Sequence, residues 1–167
     1  MLLLAALISL NGVWVRPCQQ NNIQIQFFET QKNYTDEIFF EDQNCQKPLM
    51  SFSNEGVYTL KPNHIDYQFE SVAITIYSKP MLDDFNKRRV CGFTNWQMNS
   101  PKMVTGLKCG LFTSREIQIP KKGEPRFGIW QLREGKLYFG KLTPSHPALT
   151  PETRPIEWDE RPYFKQL

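Results

Sequence analysis

Ile23-Gln24-Ile25-Gln26-Phe27 is the stretch that decides the fold: apolar and polar side chains alternate with a period of two, the mark of a half-buried β-strand. Tyr34 to Asp42 repeats the rhythm with Ile38 and Phe40 on one face, and the polar segment between the two runs, Glu29 to Asn33, reads as a hairpin loop. Alternating or β-rich runs recur at Gly12 to Arg16, Gly56 to Leu60, Ile65 to Tyr77, Arg115 to Ile119, Phe127 to Leu132 and Leu137 to Leu142. The links between them carry turn chemistry, as in Lys61-Pro62-Asn63-His64, Lys121 to Pro125 and Arg133-Glu134-Gly135-Lys136. Within Ile65 to Tyr77 the apolar phase slips from odd positions (Ile65, Tyr67, Phe69) to even ones (Val72, Ile74, Ile76). This predicts a bulge or sharp bend near Ser71, or a strand that changes neighbours. Helical spacing occurs only around Met81 to Val90, with Pro80 suited to the first turn.

A meander of about eight strands must dispose of its edges, and an antiparallel up-and-down barrel removes them altogether. A two-sheet sandwich would need long crossovers that the mostly short links do not provide. The expected architecture is therefore all-β: one barrel domain over residues 11–167, with one short helix. Thr143 to Pro162 holds five prolines, Pro144, Pro147, Pro151, Pro155 and Pro162, so it cannot be a central strand and should run as a surface strap. That strap is either a lid or partner-binding arm, or a belt returning Trp158 and Tyr163 to the barrel.

Composition excludes several functions. The chain has 167 residues, 40% hydrophobic and 22% charged, which suits one globular domain. A formal charge of +3 is too small and too scattered for nucleic-acid binding. A mean hydropathy of -0.49, with no apolar run of roughly eighteen residues, excludes a multi-span membrane protein. Residues 1–10, MLLLAALISL, have the length of a signal-peptide core but lack a basic start and an A-x-A cleavage site. They read as the remnant of an export signal or as a retained apolar lead-in, and the cysteines favour export. Cys18, Cys45, Cys91 and Cys109 avoid C-x-x-C spacing, which weighs against metal and redox roles. Of the three possible pairings, the spacing favours Cys18 with Cys45 and Cys91 with Cys109, bridges that persist only where the compartment is oxidising. Asn33-Tyr34-Thr35 is a glycosylation sequon.

Gly12-Val13-Trp14 is similar to the Gly-x-Trp of a lipocalin-type first strand. The ordered series continues with Cys45-x-x-Pro48, Gly56-x-Tyr58, Cys91-Gly92, Trp96, Val104-Thr105-Gly106 and Cys109. It ends with Leu137-Tyr138-Phe139-Gly140, Arg154-Pro155 and Arg161-Pro162-Tyr163. This series resembles the β-barrel domain of the adenomatosis-polyposis-coli-down-regulated protein family, membrane-tethered Wnt inhibitors, together with small single-barrel bacterial relatives. The resemblance implies a lipocalin-like barrel with local disulfides and an apolar cavity able to take a lipid chain. Family inhibitors carry two barrels and a membrane anchor, whereas this chain reads as one barrel without a C-terminal apolar tail. The expectation is an exported protein of the bacterial type, without Wnt antagonism.

For a binding pocket, the bulky residues at alternate strand positions are Trp14, Phe27, Phe40, Tyr58, Phe69, Trp130 and Phe139. They either line a hollow or fill the barrel, because phase shows which residues share a face and not which face is inside. A late arginine over the first-strand tryptophan closes one end of many lipocalin-like barrels. Arg161 is therefore expected to clasp Trp14, with Arg154 as the substitute and exposed Arg-Pro turns as the alternative. Phe93, Trp96 and Met98 in the loop from Phe93 to Cys109 would present themselves at the mouth, or plug it.

Catalysis finds little support. His64 and His146 both lie in turn-forming sequence, no nucleophile or nucleotide motif occurs, and Asp83-Asp84 and Glu41-Asp42 lack a calcium-loop pattern. The sequence predicts a non-enzymatic, monomeric protein that is secreted, periplasmic or at the cell surface, with no cofactor and no metal. Its expected partner is an apolar or amphipathic small molecule in the barrel. The alternative is a protein-interaction or adhesion module with a filled barrel, working through the 93–109 loop and the strap.

Overall fold

Two-residue turns set the register of the opening hairpins. Gln20 and Asn21 both adopt positive φ, as do Glu134 and Gly135, the backbone twist that two-residue hairpins require. The computed structural model describes residues 9–112 and 115–167. Strands β1 (Gly12–Gln19), β2 (Asn22–Glu29), β3 (Lys32–Phe40), β4 (Pro48–Lys61) and β5 (His64–Ile76) follow one another as antiparallel neighbours. The chain then leaves the sheet through helix α1 (Lys79–Arg88), a short 3-10 turn at Val90–Gly92, and the two-residue strands β6 (Lys102–Met103), β7 (Lys108–Cys109) and β8 (Ile117–Gln118). It re-enters with β9 (Pro125–Arg133), β10 (Lys136–Phe139) and β11 (Tyr163–Lys165).

The sheet closes. β5 pairs with β9, β9 with β10, β10 with β11 and β11 with β1, giving an eight-stranded antiparallel up-and-down barrel. Seven of its staves are the runs expected from the sequence. The eighth is β11, not Arg115 to Ile119, of which only Ile117–Gln118 forms a strand, and it pairs with β7 outside the barrel. The physical reason lies in the prolines: the strap cannot join a ladder until Pro162 is passed, and three residues with free N–H groups follow. The strap itself is a belt. Gly140 bridges Trp158, and the Asp159 N–H donates to the Phe139 carbonyl, so the chain is led back to the barrel wall. The expected hairpin loop Glu29 to Asn33 is shorter than anticipated, since Glu29 pairs with Lys32.

The phase slip in β5 is a bulge. Glu55 pairs with Ser71 and Gly56 with Phe69, so Glu70 is the extra residue, and Phe69 and Val72 stay on the same side of the wall. Gly56 is required there, because a Cβ would sit 2.3 Å from the Gln68 carbonyl oxygen. Above the bulge, Val72, Ile74, Ile76 and Met50 form a core with Phe85 of α1, Val90, Trp96 and Val104. Helix α1 begins with Pro80 in its first turn and ends at Arg89 in the left-handed region. Cys18–Cys45 and Cys91–Cys109 are both disulfide-bonded, the pairing the spacing favours. Residues 1–8 of the apolar lead-in lie outside the described residues; Leu10 is buried in the barrel. No described helix is long and apolar enough to cross a membrane.

Candidate functional site

Side chains of a strand alternate between two faces, so a few fixed contacts place all of them. Arg16 Nη1 donates to Gln24 Oε1 at 3.0 Å, Gln26 Oε1 accepts from the Thr35 hydroxyl at 2.8 Å, and Phe28 packs with Trp14 in one core. These residues face inward. Ile23, Ile25 and Phe27 therefore face outward: Phe27 is 39% exposed while its neighbour Phe28 is 1% exposed. The rhythm of the deciding stretch is right and its face is reversed. Phe27 is thus not a lining residue. Phe40 sits beyond a register break at the end of β3, and Phe39 takes the inward packing role instead.

The lower barrel is solid. Trp14, Phe28, Tyr58, Ile65, Trp130, Leu137 and Tyr163 pack with Leu10 into a floor. Edge-on ring contacts link Phe28 to Tyr58 at 5.1 Å and Phe139 to Tyr163 at 5.5 Å. The indole N–H groups are satisfied within this floor: Trp14 donates to the Leu10 carbonyl at 2.7 Å and Trp130 to the carbonyls of Lys61 and His64. Trp14, Tyr58 and Trp130 are accordingly structural residues of the floor and not part of a lining.

Above the floor lies a cavity of about 650 Å³ with two unlike walls. One half of the barrel, β5 to β11, contributes the apolar Ile65, Tyr67, Phe69, Phe139 and Tyr163, with Gln68, Arg126, Lys141, Asp159 and Arg161 also on the lining. The other half, β1 to β4, contributes Arg16, Gln24, Gln26, Asn33, Thr35 and Asn54. Phe69 and Phe139 are the two expected lining residues that the structure brings together there. The polar wall went unread, although its signal was present: Gln24 and Gln26 are the other half of the deciding alternation. Asn33, the sequon residue, points into this wall and is 6% exposed, so the folded barrel does not offer it to a glycan.

A charged network holds the upper part of the wall. Arg16 pairs with Asp159 at 3.1 Å and stacks its guanidinium over the Tyr163 ring at 4.4 Å. Arg161 forks onto the same Asp159 carboxylate at 2.9 and 2.8 Å. Burial would raise the Asp159 pKa, but hydrogen bonds from Arg161 and the charges of Arg16 and Arg161 outweigh it and hold the carboxyl below its usual range. Burial pushes the Tyr67 phenol well above its ordinary value and raises Tyr163 as well, so both remain neutral hydroxyls.

The expected Trp14 and Arg161 clasp is replaced by two others. Lys165 lies over Trp14 at 5.5 Å, since β11 pairs Lys165 directly opposite it. Arg154 secures the strap by donating to the Gly128 carbonyl at 2.7 Å and pairing with Asp66 at 2.7 Å. The loop aromatics plug rather than present. Trp96 is 3% exposed between Phe85 and Phe93, and Met98 bridges the end of β5 at Ile76. His64 is exposed, and the His146 backbone closes the Thr143–His146 turn. Among the described residues no three His, Cys, Asp or Glu side chains gather as metal ligands. No protein-family model and no curated protein matches the sequence.

Proposed function

We propose that this barrel is a non-enzymatic carrier or receptor that holds one amphipathic, lipid-like small molecule and leaves it chemically unchanged. The observation that carries this reading is the two-walled cavity: about 650 Å³, inside the ~300–1,000 Å³ range of small-molecule sites, with an aromatic half facing a carboxamide half. The ligand's apolar side would leave water against Tyr67, Phe69 and Phe139, gaining roughly 25 cal/mol per Å². Its polar side would meet Gln24, Gln26, Thr35 and Asn54. The charged groups at the site are spent on structure: Arg16 and Arg161 hold Asp159, which argues for binding over catalysis. Two disulfides favour an oxidising compartment, secreted, periplasmic or at the cell surface. The resemblance to the single-barrel relatives of the Wnt-inhibitor family supports the same picture. An interaction module working through the 93–109 loop is less well supported, because Trp96 is committed to the upper core.

Native mass spectrometry of protein purified from its own host tests the reading, together with titration of a 1-alkanol series. Each added methylene should contribute about 0.8 kcal/mol, roughly a fourfold gain in affinity, until the cavity is full. Protein that carries no lipid-like molecule and binds neither an alkanol of any length nor a polycyclic amphiphile is not such a carrier.

A further inference from the structure

Resting on the amphiphile reading, we propose that the ligand is a facial amphiphile: a molecule with hydroxyl groups along one edge, not an alkyl chain with a single head. The polar wall is not confined to the mouth. Arg16 stands opposite Gln24 near the upper end, whereas Asn33 stands opposite Phe28 at the floor. Gln24 to Phe28 is four residues of β2, about 13 Å of strand at ~3.3 Å per residue. Gln26, Thr35 and Asn54 fill the interval, since Gln26 pairs with Thr35 and Thr35 with Asn54 across the strands. A fatty chain lying there would cover carboxamides with methylenes along its whole length, which costs roughly 1–3 kcal/mol for each amide left unpaired.

Two atoms of this wall lack a partner among the described residues: Asn33 Oδ1 at the deep end and Arg16 Nε at the upper end. Both residues line the cavity at 6% and 5% exposure, and the two atoms themselves have almost no accessible surface, so the Asn33 and Arg16 side chains turn toward a ligand to meet it. Asn33 Oδ1 is an acceptor, so it calls for an O–H or N–H donor carried deep into the barrel, which neither an alkyl tail nor a carboxylate supplies. Arg16 Nε is a donor and suits a hydroxyl or ether oxygen. Of the cations on the lining, Arg126 pairs with Glu124 at 2.6 Å and Lys141 with Glu157, whereas Arg16 and Arg161 share the single carboxylate of Asp159 at the upper end. An anionic group is therefore uncompensated at the deep end, where Asn33 stands, and any negative charge on the ligand belongs at the upper end beside Arg16 and Arg161. Opposite, the rings of Tyr67, Phe69, Phe139 and Tyr163 offer apolar surface, with Phe139 and Tyr163 meeting edge to face.

Three uncharged sterol esters of one skeleton isolate the feature: methyl cholate, methyl deoxycholate and methyl lithocholate carry three, two and one hydroxyl groups. Their affinities, with 1-dodecanol as the end-on amphiphile, are to be measured by isothermal titration and competition. Methyl cholate should bind at least tenfold tighter than methyl lithocholate and tighter than dodecanol. Asn33→Leu should abolish that preference while dodecanol affinity holds or rises; Gln26→Leu serves if that variant does not fold. Dodecanol binding with no preference among the esters overturns the facial reading and leaves the carrier standing. If an Asn33→Leu or Gln26→Leu protein that folds keeps the preference, or loses both ligands equally, the assignment of the polar wall is overturned. Failure of every probe refutes the carrier function itself.

Discussion

Asp159→Asn removes one negative charge while keeping the shape of the side chain, and the network around it fixes what must follow. Arg16 is paired with this carboxylate at 3.1 Å with only 6% of its side chain exposed, and Asp159 is 18% exposed. Breaking a buried pair from one side costs about 3–5 kcal/mol, because the remaining charge stays buried without compensation. Partial exposure of the carboxylate and of Arg161, 37% exposed at the edge of the network, places this case at about 3 kcal/mol. For a chain of this length that is a drop in melting temperature of roughly 6–12 °C at pH 7.

The pH dependence separates this electrostatic origin from a simple misfit. The folded Asp159 carboxyl titrates below its ordinary value, so its stabilisation is complete above the unfolded value of about 3.9 and is lost as pH falls through the folded one. In the wild type at low pH the protonated carboxyl resembles the amide of the variant. Urea denaturation from pH 7 to pH 2 should therefore show two stability curves about 3 kcal/mol apart at pH 7 that begin to approach below roughly pH 4 and draw together as pH falls toward the folded value. A gap that stays constant with pH, or no gap at pH 7, would mean that the Asp159 charge does not hold Arg16 in place.

Two further substitutions test the architecture. Phe28→Ala should cost about 3–5 kcal/mol by emptying the floor, whereas Phe27→Ser should change stability by less than about 1 kcal/mol; equal losses in chemical denaturation would mean that the faces have been assigned wrongly. Gly140→Ala would place a Cβ 2.5 Å from Pro155 Cβ and 2.6 Å from Ile129 Cγ1, so it should loosen the strap, cost about 1–3 kcal/mol and open residues 141–158 to limited proteolysis. Unchanged protease resistance would show that the strap does not depend on this contact.

How much of this was legible in the sequence divides along physical lines. Period and turn chemistry are local properties, so the meander, the short helix and the hairpins at Gln20-Asn21 and Glu134-Gly135 could be read directly. Even the bulge at Glu70 shows as a slip in the apolar phase of β5. Closure depends on distance. β11 is three residues long, has no rhythm of its own and pairs with β1 across nearly the whole chain, whereas Arg115 to Ile119 looked like a strand and had no barrel edge left to join. The pairing of the cysteines was legible because both bridges are sequence-local. The Arg161 clasp failed because Asp159, two residues away, captures the guanidinium first.

The orientation of β2 was not legible, because its two faces are both partly sheltered. Outside, Val13 meets Phe27, Val15 meets Ile25 and Ile23 meets Ile38, so the outward apolar residues cover one another across strands. Inside, Gln24 finds Arg16 and Tyr163, the latter 139 residues away, a partnership no local pattern can announce. The size of the cavity explains why the faces fall this way. At about 24 cal/mol per Å³, an empty apolar space of about 650 Å³ would cost on the order of 16 kcal/mol, as much as the entire stability of a typical domain. Ile23, Ile25 and Phe27 turned inward would therefore have to collapse and fill the barrel. Carboxamides hydrogen-bonded to side chains of neighbouring strands, Gln24 to Arg16 and Glu37 and Gln26 to Thr35, hold their positions and can be hydrated, so the interior stays open until a ligand with a matching polar edge displaces the water. The hollow and the polar wall are consequences of the same reversed face.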